Sequence, residues 1–359
     1  MTSLFDSAIA GSLHLKNRIT MAALTRSRAE RDGVPTPMHA QYYAQRAENG
    51  MVVTEGTFFA DKNRAFLGQP GIATEAQQEG WRAVADAVHE KGGTIVMQIM
   101  HGGRLTLPSI NFEESGESAS AIAPGVTLHG ADGRQEVPVP QELDADGIKR
   151  VIDGFVAGAR RAIDAGMDGV ELHGANGYLI HQFLSPAANH RTDEYGGTPQ
   201  NRARFAIEVV RAVAQEIGAD KVALRISPMH NIQGCLEEDE HDVRETYTAL
   251  LQGISDLKIS YLSILHHDIE GELVAYLRET FGGFTILNSG FGQITGYEEA
   301  THIVESGIAD AVAVGREIIA NPDLSYRWQN NLELNEIDSQ TFYTPGPKGY
   351  VDYPFVTKD

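Results

Sequence analysis

The stretch 146–173, DGIKRVIDGFVAGARRAIDAGMDGVELH, contains one repeat of the pattern that decides the fold. From Asp146 to Ala165 its apolar side chains recur at helical spacing, and the run Gly169 to His173 that follows is a short apolar strand. The same alternation extends in both directions. Strand-like runs stand at Arg18 to Ala23, Met51 to Glu55, Thr94 to Ile99, Val222 to Ser227, Tyr261 to Leu265, Thr285 to Ser289 and Ala311 to Val314. Helical patterns lie between them, notably Glu79 to His89, Pro199 to Ile217, Asp239 to Leu251, Glu272 to Phe281 and Gly296 to Ser306. Eight βα units in succession, with strands apolar on both faces, predict an α/β fold: a closed (β/α)8 TIM barrel of parallel strands wrapped by helices. Such a barrel takes roughly 250 residues, which leaves about a hundred of the chain for insertions.

The segment 101–143, rich in Gly, Pro and Ser, follows the third strand and is therefore expected as an insertion on the active-site face. A second insertion is expected at 184–198, and the tail 333–359 has no part in the barrel. With no shift of composition and no tandem repeat, 1–359 reads as a single domain. The 29 Lys and Arg against 49 Asp and Glu give a net charge of −20, which excludes simple electrostatic binding to nucleic acid or an anionic membrane. Hydrophobic residues at 42 % and charged residues at 22 % suit a large core. The one cysteine, Cys235, can form neither an internal disulfide nor a multi-cysteine zinc or iron–sulfur site. There is no signal pattern and no apolar run near the roughly 18 residues of a spanning helix. A cytoplasmic monomer or homodimer without a metal site is the expectation.

In this fold, chemistry belongs at the C-terminal strand ends. Read in order, those ends carry Thr25, Gly56, Gln98, His173, Arg225, Ser289-Gly290 and Gly315-Arg316. Gln98 and Arg225 interrupt apolar runs and need partners, since a buried unpaired amide or guanidinium costs several kcal/mol, roughly. An ion pair of Arg225 with Glu55 or Glu171 would be a structural explanation. Asn288-Ser-Gly-Phe-Gly292 and Gly315-Arg316 resemble a phosphate cradle, because glycine lets backbone N–H groups approach an anion. Gly290, Gly292 and Gly296 have the wrong spacing and place for a dinucleotide fingerprint. Within Val170 to Pro186, His173, Asn176 and Tyr178 leave one strand end together, offering two groups for a substrate oxygen and a phenol able to give a proton. His181 reads as structural. His266 and His267, taken as strand neighbours, should face opposite ways and share no ion.

These residues fall in a set of separated motifs: Leu15-Lys-Asn-Arg-Ile19, Leu24-Thr-Arg-Ser-Arg28, Glu55-Gly-Thr57, the 173–186 segment, Arg191-Thr-Asp-Glu-Tyr-Gly-Gly197, Leu224-Arg-Ile-Ser-Pro228, Gly315-Arg-Glu-Ile-Ile-Ala-Asn-Pro-Asp323 and Gly349-Tyr-Val-Asp-Tyr-Pro354. Over nearly its whole length the chain resembles the old yellow enzyme family of ene reductases. Thr25 in particular is similar to the Thr-type branch of N-ethylmaleimide and nitrate ester reductases. The resemblance implies noncovalent FMN, reduction by NADPH or NADH, and hydride delivery to electrophilic alkenes such as enones, nitroalkenes and maleimides, with nitrate esters as further oxidants. It implies that Ala23, Leu24 and Thr25 lie against the flavin, that Gly56 and Gln98 meet its pyrimidine edge, and that Arg225 stabilises the charge that builds there on reduction. It assigns Gly290, Phe291, Gly315 and Arg316 to the phosphate. It makes His173 and Asn176 the grip on the substrate oxygen and Tyr178 the proton donor.

Phe66, Met100 and Tyr343 are expected to line the substrate pocket. Ala23, Met100 and Phe66 depart from the Pro, Trp and Tyr frequent in the family, and the loop 105–139 is longer and different. A flavin-free isomerase or aldolase would need a base or lysine at a strand end, whereas Lys221 and Lys258 lie at strand starts. A degenerate binding barrel would have lost the His173, Asn176 and Tyr178 set.

Overall fold

The computed structural model describes residues 2–357, so Met1 and the final two residues of the expected 1–359 span and 333–359 tail lie outside the described residues. Eight strands form a closed barrel: β1 Ile19–Met21, β2 Met51–Val53, β3 Ile95–Ile99, β4 Gly169–Gly174, β5 Val222–Ile226, β6 Tyr261–Leu265, β7 Thr285–Asn288 and β8 Ala311–Val314. Neighbours are parallel throughout, and β8 closes on β1. Every residue of β3, β4, β5 and β6 is buried, as expected where helices cover one face and the barrel interior the other.

The helices keep close to their expected spans. Glu75–His89 starts four residues earlier than expected because Thr74 and Gln77 form a reciprocal capping box. Ala145–Asp164 is capped by Asp144, whose Oδ1 accepts from Gly147 N at 2.7 Å, and buries Ile148, Val151, Phe155, Ala159 and Ala162. Gly154 on this helix is required for close approach, since a Cβ there would stand 2.4 Å from the Phe59 ring.

An N-terminal hairpin, Ala8–Ala10 with Leu13–Leu15, closes the bottom of the barrel. Its Ala10, Leu13 and Leu15 pack with the inward-facing Met51, Val53, Val96, Ala223, Ile286 and Ala311. The sequence reading contains no such hairpin, because three-residue strands carry no usable periodicity. The segment 101–143 holds a second hairpin, Thr127–Gly130 with Gly133–Glu136, and a parallel pair, Glu117–Ser118 with Gln141–Glu142. Glu117 anchors it, accepting from Lys62 Nζ at 3.0 Å and Arg150 Nη2 at 2.7 Å, with His101 Nε2 at 2.8 Å. Although burial opposes it, the bonds with His101, Arg150 and Lys62 hold this carboxyl well below the usual carboxylate range. Among the described residues no helix is long and apolar enough to cross a membrane.

Candidate active site

The turn leaving β4 is built by two consecutive left-handed residues, Asn176 at φ +56° and Gly177 at φ +81°. Glycine and, less readily, asparagine accept this conformation. Three bonds fix it. Ser227 Oγ accepts from Asn176 N at 2.8 Å, His181 Nδ1 from Gly177 N at 2.9 Å, and Ala175 O from Tyr178 N at 3.2 Å. His181 is thus a strut, with its Nε2 3.3 Å from Glu237. The turn sets the His173 and Tyr178 rings 4.9 Å apart, both buried. Among the described residues neither the His173 nor the Asn176 side chain has a hydrogen-bond partner, and His173 Nδ1 and Asn176 Oδ1 are buried. Burial, reinforced by the Arg225 charge, pushes the His173 imidazole well below its ordinary value, so it is neutral. Burial pushes the Tyr178 phenol above its ordinary value, and the nearby Gln233 amide opposes the rise.

Below this turn lies a polar layer inside the barrel. Arg225 is registered beside His173, and Glu171 beside Gln98. Gln98 Nε2 donates to Glu171 Oε1 at 2.8 Å and Tyr261 OH to Glu171 Oε2 at 2.9 Å. Burial raises the Glu171 pKa, while Arg225 and these two donors oppose the rise. Of the partners open to Arg225 on sequence grounds, Glu171 is the one that faces it, through space. Its guanidinium makes no ion pair within 4 Å among the described residues. A buried cation is therefore left with unmade hydrogen bonds.

The remaining sequence-derived positions surround the same mouth. Ala23, Leu24 and Thr25 are half-buried just past β1, and Leu24 lies 3.5 Å from where a Gly315 Cβ would stand. A Cβ on Gly56 would stand 2.7 Å from Met100 Sδ and 3.4 Å from Gln98 Oε1. Gly290 has φ +92° and donates its N–H to Asn288 Oδ1 at 3.1 Å, and Arg316 Nη2 donates to the Phe291 carbonyl, tying the two glycine loops together. Nothing lies within 4 Å of a Cβ placed on Gly292.

Met100, 1 % exposed, packs with Ala65, Leu105 and Tyr178, and the Phe66 ring meets Tyr178 edge-on at 6.1 Å. Tyr343 is 66 % exposed on the tail, close enough to Tyr178 to act on its phenol. The tail is clamped by guanidiniums. Arg26 donates to the carbonyls of Phe342 and Gly349, and Arg28 to those of Thr341, Phe342 and Lys348.

A single mouth thus gathers an unpartnered imidazole and carboxamide, a buried phenol, a buried unpaired guanidinium and two open glycine loops. The sequence pattern of the NADH:flavin oxidoreductase / NADH oxidase family fits residues 3–335. A probable flavin mononucleotide-dependent alkene reductase of Leishmania infantum is 40 % identical over 358 residues, 97 % of this chain and 96 % of the relative. Among solved structures, the old yellow enzyme homologue from Zymomonas mobilis matches with a TM-score of 0.93 at 37 % identity, covering 99 % of this chain and all of the other. The chain belongs to the old yellow enzyme family. Morphinone reductase, at 36 % identity and TM-score 0.92 over 99 % of this chain and 96 % of its own, is a further relative. The protein is accordingly an FMN-dependent NADH oxidoreductase of the ene reductase type.

The mouth suits FMN chemically. Arg225 offers an unused cation to a polar ring edge, Gly56 lets the chain pass close to Met100 and Gln98 where a Cβ would collide, and the loops 290–292 and 315–316 present backbone to a phosphate. One expectation needs correction. His266 and His267 do not lie on a strand, since β6 ends at Leu265, and their rings stack 4.6 Å apart instead of facing opposite ways. Even so, no group of three His, Cys, Asp or Glu among the described residues could hold a metal ion. The sequence reading missed Gln233, the Tyr261–Glu171 bond, the Arg26 and Arg28 clamp, and His230, whose buried Nε2 has no partner beside Phe291. Arg26 and Arg28 stand in the Leu24-Thr-Arg-Ser-Arg28 motif, but nothing local points to the tail as their partner, and the other features carry no local sequence signal.

Proposed function

We propose that this protein reduces electrophilic alkenes, namely enones, nitroalkenes and maleimides, and also nitrate esters, at the expense of NADH or NADPH. The observation that carries the reading is the pair of unpartnered side chains, His173 and Asn176, fixed beside a buried, protonated Tyr178. Bound FMN supplies the two-electron relay from the nicotinamide to the alkene. His173 and Asn176 each present an N–H to the substrate's carbonyl or nitro oxygen, which draws electron density from the β-carbon. A neutral imidazole suits a neutral carbonyl better than a cation that would need its own counter-charge. Tyr178 then gives its proton to the α-carbon. Arg225 provides a fixed positive charge in a dehydrated site, where it counts for far more than in water. Ala23, Leu24, Thr25, Gly56 and Gln98 would hold the ring system, and Gly290, Phe291, Gly315 and Arg316 the phosphate. Phe66, Met100 and Tyr343 form the walls against which a substrate is sorted.

The test is anaerobic: bleach the yellow enzyme with NADH or NADPH in turn, then follow the return of visible absorbance on adding each oxidant class. Rapid return with enones and maleimides is expected. A colourless preparation that takes up no FMN, or a reduced enzyme that no alkene reoxidises, would overturn the reading.

A further inference from the structure

The loop after β5 is wound with an unusual run of left-handed residues: Met229, Asn231 and Gln233 at φ +56°, +48° and +57°, then Gly234 at +75°. L-residues enter this region reluctantly, so the surroundings must hold it. Glu237 accepts from Met229 N at 2.7 Å, Asn231 Oδ1 accepts from Glu237 N at 2.6 Å, and Arg104 Nη2 donates to the Gly234 carbonyl at 2.9 Å. The winding delivers one side chain to the active site. Gln233 lies against the 176–178 turn, its Cβ 2.8 Å from where a Cβ on Gly177 would stand, which reserves that place for glycine. Its Nε2 donates to the Asn176 carbonyl at 2.7 Å, which sets the amide beside the 176–178 turn and close enough to Tyr178 to act on its phenol. The Asn176 carbonyl can only accept, so it fixes which end of the Gln233 amide carries the N–H groups.

We propose that Gln233 is a positioning residue for proton delivery: its amide nitrogen, pinned at the Asn176 carbonyl, donates its second N–H to the Tyr178 oxygen. This rests on Tyr178 being the proton donor. With one lone pair of the phenol oxygen engaged from behind, the O–H is free to point at the substrate. As the alkene takes hydride at its β-carbon, the Tyr178 O–H bond breaks and a C–H bond forms at the α-carbon. The electron pair stays on the phenol oxygen as a phenolate, and solvent later returns the proton. A buried phenolate is costly, and the Gln233 N–H, held at the turn by the Asn176 carbonyl, is a neutral donor that would stabilise it as it forms.

The experiment uses the FMN-loaded enzyme with Gln233→Met, Gln233→Glu, Tyr178→Phe and the double variant Tyr178→Phe/Gln233→Met. All keep an L side chain of similar reach at position 233, so the backbone conformation is equally strained in each. Stopped-flow gives reoxidation by a simple cyclic enone and reduction by NADH and NADPH. Binding of p-chlorophenol, read from its long-wavelength band, reports on His173 and Asn176.

Gln233→Met should slow reoxidation roughly ten- to a hundredfold, the range for a hydrogen bond to a charged group, with reduction and phenol affinity within about twofold. It should cost nothing further in the Tyr178→Phe background. Gln233→Glu should be slow at neutral pH and recover as the pH falls, since only the protonated carboxyl can donate. If Tyr178→Phe alone reoxidises at the unmodified rate, the proton-donor reading itself fails. If Tyr178→Phe is slow but Gln233→Met is not, the assignment of Gln233 fails alone. Equal losses in reoxidation, reduction and phenol binding, or losses that add to Tyr178→Phe, would show that Gln233 merely supports the fold.

Discussion

Raising the pH from 7 to 10 should leave the reoxidation of reduced enzyme by simple enones almost unchanged, because of where Tyr178 sits. An ordinary phenol with pKa about 10 is half ionised at pH 10 and roughly 90 % ionised at pH 11, which would halve the rate and then cut it tenfold. Tyr178 is 7 % exposed, and burial pushes its pKa up. With Tyr178 as the proposed proton donor the active form is the protonated one, so a raised pKa extends activity to higher pH, and the loss at pH 10 should stay below about a fifth. On the acid side, burial and Arg225 push His173 well below its ordinary value. No inflection should then appear near pH 6.5. The profile is a plateau from about pH 6 to 10 where unperturbed groups would give a bell. Tyr178→Phe should lower the whole plateau by roughly 10²- to 10⁴-fold, the usual contribution of a general acid. Reoxidation is followed by the return of the visible flavin absorbance, with flavin absorbance and circular dichroism checked at each pH to separate ionisation from unfolding. An alkaline limb centred between pH 9 and 10 that vanishes in Tyr178→Phe would show that the phenol ionises as in water, and would refute the link between burial and acidity.

Three other perturbations probe different parts of the site. Arg225→Met should weaken FMN binding at least about tenfold and lower the flavin potential by roughly 30–60 mV, the equivalent of losing one hydrogen bond to a charge; dye-referenced photoreduction of variant that still holds FMN checks this. Met100→Trp should lower kcat/KM for bulky enones by up to about a hundredfold while sparing small ones, because Met100 is walled by Gly56, Ala65 and Leu105 and a larger ring must extend toward Tyr178 and Phe66. Equal losses on both substrates would place Met100 outside the pocket. Arg28→Lys should loosen the tail, since a single ammonium cannot reach the carbonyls of Thr341, Phe342 and Lys348 together. Faster amide exchange across 341–349, with a stability loss of about 1–3 kcal/mol in urea, is the expected result.

What the sequence determined by itself is everything whose cause is local. The barrel is legible because each βα unit shows its own period and each buried strand its own apolar run, as in 146–173. His173, Asn176 and Tyr178 are legible as a set because six residues of one chain leave a strand end together. Arg225 stands out because a cation in an apolar run demands an explanation. What only the tertiary structure decided depends on barrel closure and on which strands become neighbours. Closure brings Glu171 between Gln98 and Tyr261, from three different strands. It seats Ala8–Leu15 under the barrel, and it lets Arg26 and Arg28 hold a tail more than 300 residues away. It also ends β6 one residue before His266, so the two histidines stack where strand alternation would have parted them. Gln233 is the sharpest case. Its loop has no periodicity to read, and its left-handed turns exist only because Arg104 and Glu237, fixed by other elements, hold the chain in a conformation the local sequence does not favour.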